Sequence, residues 1–185
     1  MHRYLLLLCI GPLILLSARP DGTAIAWSKP RLLTWADFQG TPLRSSANAA
    51  LSQVSILPHA EATGETIEYE VKAMFNPTQS WIKVDKKTSY LLKHEQGHFD
   101  IGELFARKMR KELVLHTFTQ ATFATDYKEI TGKINTAFQK FTNDYDAETQ
   151  HSLIKEKQEE WNARIAKEMK ELEMYSTPHF NGKLK

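Results

Sequence analysis

Residues 66–75 alternate along the chain. Ile67, Tyr69, Val71, Ala73 and Phe75 fall on one side, and Glu68, Glu70 and Lys72 on the other. That period of two predicts a half-buried strand. Residues 50–57 alternate in part, and residues 61–65, with Gly64, read as the hairpin turn between the two. Asn76-Pro77-Thr78 ends the second strand, and residues 80–84 form a short third candidate. From Thr88 onward the period changes. Leu91, His94, His98, Ile101, Phe105, Met109 and Leu113 follow at steps of three or four. This predicts an amphipathic helix, capped by Thr88 or Ser89 and running to about residue 115. Arg107 and Lys108 are expected on its solvated face. A second helix is expected over 126–141 and a third over 146–175. The stripe of the third includes His151, Ile154, Trp161, Ile165, Met169 and Leu172, interrupted by Gln158. Residues 176–185, with Pro178 and Gly182, read as a tail. Strands first and helices second predict an α+β domain, a small antiparallel sheet followed by a helical half.

The first residues follow another logic. Met1-His2-Arg3 is a short positive start, and an apolar run from Tyr4 to Leu16 follows it. Ala24-Ile25-Ala26 fits a small-x-small cleavage pattern, which predicts a signal peptide over residues 1–26 and a domain over 27–175. Export to the periplasm or beyond is the corresponding expectation, with no stable membrane span after cleavage. Cys9, the only cysteine, would leave with the leader, so neither disulfide nor thiol chemistry is expected. Across 185 residues the net charge is +2, with both signs spread along the chain. No basic block suggests nucleic acid.

One segment carries chemistry. His94-Glu95-Gln96-Gly97-His98 is an H-E-x-x-H pattern. Residues four apart stack on one helical face, so His94 and His98 can reach one metal ion. Neutral imidazole is a good zinc ligand. Glu95 lies about 100° around the helix from His94. It can take a proton from a water whose pKa zinc brings down to roughly 7. Burying these polar groups without a common partner would be expensive, which favours a metal site over a pair of core histidines.

A catalytic zinc usually has three protein ligands and an open position. His151 is the expected third ligand, with Glu148, three residues earlier on roughly the same face, as its rival. Asp146 is read as a weaker ligand, a helix cap or an acceptor that orients His151. Tyr145 is a candidate stabiliser of the transition state, although a packing tyrosine is the plainer reading. Glu103 points nearly opposite the histidines and is set aside.

Thr34-Trp35-Ala36-Asp37-Phe38-Gln39-Gly40, Ser80-Trp81, Leu91-Leu92-Lys93-His94-Glu95-Gln96-Gly97-His98-Phe99-Asp100-Ile101, Ala106-Arg107 and Tyr145-Asp146-Ala147-Glu148-Thr149-Gln150-His151 occur in this order. Together they resemble a bacterial family of unknown function commonly described as predicted secreted zinc-dependent proteases. The resemblance implies an exported protein with a zincin-like active-site helix. It carries over His94, Glu95 and His98 and adds weight to the segment ending at His151. Ser152 departs from the pattern, which has glycine there. The protease label itself comes largely from the motif and is no independent proof of peptide cleavage.

The expected function is therefore a secreted zinc metallopeptidase acting on a peptide or protein, with Glu95 as general base. The alternative is a non-catalytic exported metal-binding or interaction module. Its charged last helix, residues 155–173, would be the place for a protein partner.

Overall fold

The computed structural model describes residues 24–185. The expected leader therefore lies outside the described residues, except for Ala24, Ile25 and Ala26. Ile25–Ala26 forms β1 and pairs with Phe75 and Met74. The folded domain thus includes residues ahead of Trp27.

The sheet is built on one hairpin. β2 (Ala50–Leu51) precedes it, β3 (Val54–Thr63) and β4 (Thr66–Phe75) form it, and β5 (Trp81–Ile82) follows. β3 and β4 pair in register from Val54↔Phe75 to Thr63↔Thr66, across a turn shorter than the expected one. β4 buries the predicted face, Ile67, Tyr69, Val71, Ala73 and Phe75. β3 takes one edge of β4, and β1 and β6 (His179–Lys183) share the other. β5 does not join this sheet; it pairs with β2 in a separate two-stranded ribbon.

The residues read as a tail thus form β6, paired along Thr66–Glu70. Their polar composition misleads because β6 is an edge strand whose side chains are all exposed or half-buried. The backbone, not an apolar face, holds it in place.

α1 (Ser89–Leu115) begins as expected, with Thr88 accepting from Leu91 N at 3.0 Å. It lies across the sheet and touches α2 (Phe123–Thr149) and α3 (Lys155–Glu171) as well. At Gly102 the approach is close, since a Cβ there would meet Val54 Cγ1 at 2.6 Å. With neighbours on so many sides, the middle of α1 is buried nearly all round. This overturns the solvated reading of Arg107, which is 4% exposed. Lys108 is half-buried, paired with Glu168 at 2.7 Å.

Glu103, Arg107 and Arg110 form a buried charged group. Arg107 Nε and Arg110 Nη1 both donate to Glu103 Oε1, at 3.0 and 2.9 Å. Arg110 also donates to Val71 O at 2.7 Å, in the gap on β4 between β1 and β6. It reaches Tyr175 O at 2.9 Å, tying the C-terminal segment to the sheet.

The second and third helices divide later than expected. The second helix was expected to end at residue 141. The stripe instead continues through Tyr127, Thr131, Ile134, Phe138, Phe141, Tyr145 and Thr149. α2 stops only at Thr149, and Gln150, His151 and Ser152 take left-handed φ of 46°, 52° and 76°. His151 therefore sits in a connection, not at a helix start. Three consecutive non-glycine residues in that region store strain. Ser152 has the most positive φ of the three. Ser152→Gly is expected to stabilise the fold by about 1 kcal/mol, read as a higher urea midpoint at unchanged m-value.

α1 and α3 run in the same direction, because His94 faces Gln158 while Arg107 faces Met169. No helix among the described residues is long and apolar enough to cross a membrane.

Candidate metal centre

His94 and His98 lie one turn apart on α1 and are 1% and 8% exposed. Their rings are 4.9 Å apart and nearly perpendicular, at 89°. Both Nε2 atoms point at one oxygen of α2. Asp146 Oδ1 is 3.1 Å from His94 Nε2 and 3.0 Å from His98 Nε2. His151 Nδ1 stands 3.3 Å from the same oxygen, on a side chain that is half exposed. Among the described residues, His94, His98 and Asp146 form the group whose ligand atoms all lie within 4.8 Å of one another. Tetrahedral ligands at zinc distances sit about 3.3 Å apart, close to the 3.1 and 3.0 Å between Asp146 Oδ1 and the two histidine nitrogens.

The hydrogen-bond network behind His94 fixes its tautomer. Gln158 on α3 gives its amide hydrogens to Tyr145 Oη and, at 3.0 Å, to Asn162 Oδ1. Its Oε1 is therefore turned to His94 Nδ1, at 2.7 Å. A carbonyl oxygen only accepts, so Nδ1 carries the hydrogen and Nε2 presents a lone pair. Tyr145 Oη donates onward to His94 O at 3.1 Å, and its ring stacks on His94 at 4.6 Å. Gly97 makes room for this, since a Cβ there would run into the Tyr145 hydroxyl. The hydroxyl is thus committed to the backbone and to Gln158. Tyr145 holds the site together and is not free to meet an oxyanion.

The lone pair on His94 Nε2 faces a carboxylate oxygen, and two acceptors at 3.1 Å need a proton or a cation between them. For Asp146, burial alone would raise the pKa, but the His94 and His98 rings set against its carboxylate outweigh it and hold the carboxyl well below the usual range. For His98, burial alone would favour the neutral ring, but Asp146 reverses this and raises its pKa. A divalent cation satisfies the same atoms without protons.

Glu95 is 3% exposed, and Ser52 Oγ, just after β2, donates to its Oε2 at 2.7 Å. Glu95, the two histidines, Asp146, His151 and β2 line one cavity of about 190 Å³. Glu148 is not among its walls; it accepts from Trp161 Nε1 at 2.9 Å. Glu148 thus stands apart from the convergent ligand atoms, where Asp146 lies with His151 beside it. The structure also adds Ser52 and Gln158, which the sequence reading did not assign to the site. Gln158 had left a signal, as the polar residue interrupting the stripe of the last helix. Ser52 had left none.

A family model for bacterial proteins of unknown function matches residues 19–152. The chain belongs to this family, DUF922. No curated protein matches, and no solved structure matches. The DUF922 match covers the hairpin, α1, α2 and the left-handed turn through His151, and it ends before α3. Gln158 is thus supplied from outside the matched region. Gln158→Leu is expected to weaken metal binding by roughly 10- to 100-fold while α1 stays folded, measured by competition with a chromogenic chelator.

Proposed function

We propose that this DUF922 protein is a zinc-dependent metallohydrolase, and specifically a peptidase. The observation that supports this best is the convergence of His94 Nε2, His98 Nε2 and Asp146 Oδ1, with the lone pair of His94 turned inward and Glu95 beside them. These three residues hold the ion, with His151 within reach at the rim. When bound, zinc acts as a Lewis acid toward the scissile carbonyl and acidifies the attacking water. Glu95 takes the proton of that water and later passes it to the leaving amine. Ser52 holds Oε2 and leaves Oε1 to do this.

β2 supports the choice of a peptide substrate. It lines the cavity and pairs only with β5 among the described strands. Its other edge suits an extended chain, bound by backbone hydrogen bonds. Secretion fits the apolar start of the chain and belongs to the same proposal.

The test is metal content of the purified protein by elemental mass spectrometry. About one zinc per chain is expected, lost in His94→Ala and in Asp146→Ala. A wild-type chain that takes up no zinc would overturn the proposal. His151 favours a second reading, because binding by all four side chains would close the site and make the metal structural. X-ray absorption separates the two: three protein ligands plus a water-like oxygen support the hydrolase, and four protein ligands support a non-catalytic module.

A further inference from the structure

A larger groove lies on the far side of α1 from the cavity of Glu95. It holds about 780 Å³, within the range of small-molecule sites. Gln96, Gly97 and Asp100 of α1 form one wall, and Ile165, Ala166 and Met169 of α3 the other. Trp27 and Leu32 bridge it, and Leu32 is 63% exposed. From Lys93 to Arg107 the groove runs about 21 Å along α1.

Its charges are unevenly used. Asp100 accepts from Trp27 Nε1 and Gln96 Nε2, both at 2.8 Å. Glu173 pairs with Arg107 at 2.8 Å. Lys29, Lys93 and Lys170 stand exposed at the rim, and none is within ion-pair distance of a carboxylate among the described residues. Lys29 shares the field of Glu173, so the unpaired positive charge at the rim rests mainly on Lys93 and Lys170, beside an apolar trough.

The walls also decide against an extended peptide. Both are helices, whose backbone groups bond within the helix. A strand laid between them would find no edge on either helix, and with non-helical backbone in the lining only at Trp27, Ser28, Lys29 and Leu32, most of its amides would be buried unsatisfied. A hydrocarbon chain has no such groups.

The geometry points to the groove between α1 and α3 as a binding site for an amphipathic anion, a long-chain carboxylate whose apolar tail lies against Trp27, Ile165 and Met169 and whose head meets the rim lysines. This site is separate from the metal centre and does not depend on the hydrolase reading.

Titration calorimetry of the purified chain with dodecanoate, below its micelle concentration, tests this. One saturable site is expected. Ala166→Trp, which fills the trough from an exposed position, is expected to abolish it. Charge reversal in Lys93→Glu with Lys170→Glu is expected to weaken it at least about tenfold. The wild-type chain stripped of metal with a chelator is expected to bind as the untreated chain does, which keeps this result apart from any failure at the metal centre. Dodecyltrimethylammonium, with the same tail and the opposite charge, is expected not to bind. The inference fails if dodecanoate shows no saturable binding, if Ala166→Trp binds normally, or if the cation binds as well as the anion. It also fails if an acidic, leucine-rich peptide binds while dodecanoate does not.

Discussion

Glu95→Gln is expected to keep one metal ion per chain and to lower peptide hydrolysis by roughly 10²- to 10⁴-fold. The two halves of this result come from different atoms. The side chains proposed to hold the ion are His94, His98 and Asp146, none of which the substitution touches. Glutamine has nearly the shape of glutamate and can still accept from Ser52 Oγ through its carbonyl oxygen. The site keeps its form, but the amide nitrogen cannot take a proton from water. The measurement is cleavage of a peptide library followed by mass spectrometry, beside elemental analysis of the same samples. Full turnover in the variant would show that Glu95 is not the base. Loss of the ion would make Glu95 a ligand and change the chemistry assigned to it.

Much of this site could be read from the chain, for a simple reason. His94, Glu95 and His98 are local: five residues on one helix, whose relative directions follow from helical geometry alone. The alternation of residues 66–75 is local in the same way, and β4 buries the face it predicted. The remaining features depend on long-range partners. Asp146 and His151 had been noticed together, but their ranking hinged on where α2 ends. The expected second helix ended at residue 141 and the third began at 146, whereas Tyr145 and Thr149 extend the buried stripe and carry one helix past Asp146. That extension places Asp146 beneath both histidines and leaves His151 in a left-handed turn at the rim. Ser52 is separated from Glu95 by more than forty positions, and no periodicity links the two. β6 was missed for the opposite reason. Backbone pairing with β4 holds it, and backbone pairing leaves little trace in side-chain pattern.

Glu103→Ala is expected to destabilise the fold by about 3–5 kcal/mol, a large part of the stability of a domain this size. Glu103 is 2% exposed and accepts from two arginines that are themselves buried. Its removal leaves Arg107 and Arg110 without their shared carboxylate, and neither can lose its proton. Arg110 keeps its carbonyl partners on Val71 and Tyr175, and Arg107 keeps Met169 O and Glu173, which is largely exposed. Those contacts satisfy hydrogens but neutralise only part of the charge. Urea unfolding followed by far-UV circular dichroism measures the loss. A change below about 1 kcal/mol would mean that water reaches the arginines and that the group is not sealed. A double replacement, Glu103→Leu with Arg110→Met, separates charge from packing. If unpaired charge is the main penalty, the double variant is expected to be more stable than Glu103→Ala, because one of the two stranded cations is gone. What remains of its deficit then combines the stranded charge of Arg107 with the lost clamp that Arg110 makes between β4 and the C-terminal segment. Since α1 carries both this group and His94, Glu95 and His98, the comparison also tests whether the buried charges set the position of the metal centre. If they do, the double variant will bind zinc more weakly even where its fold is intact.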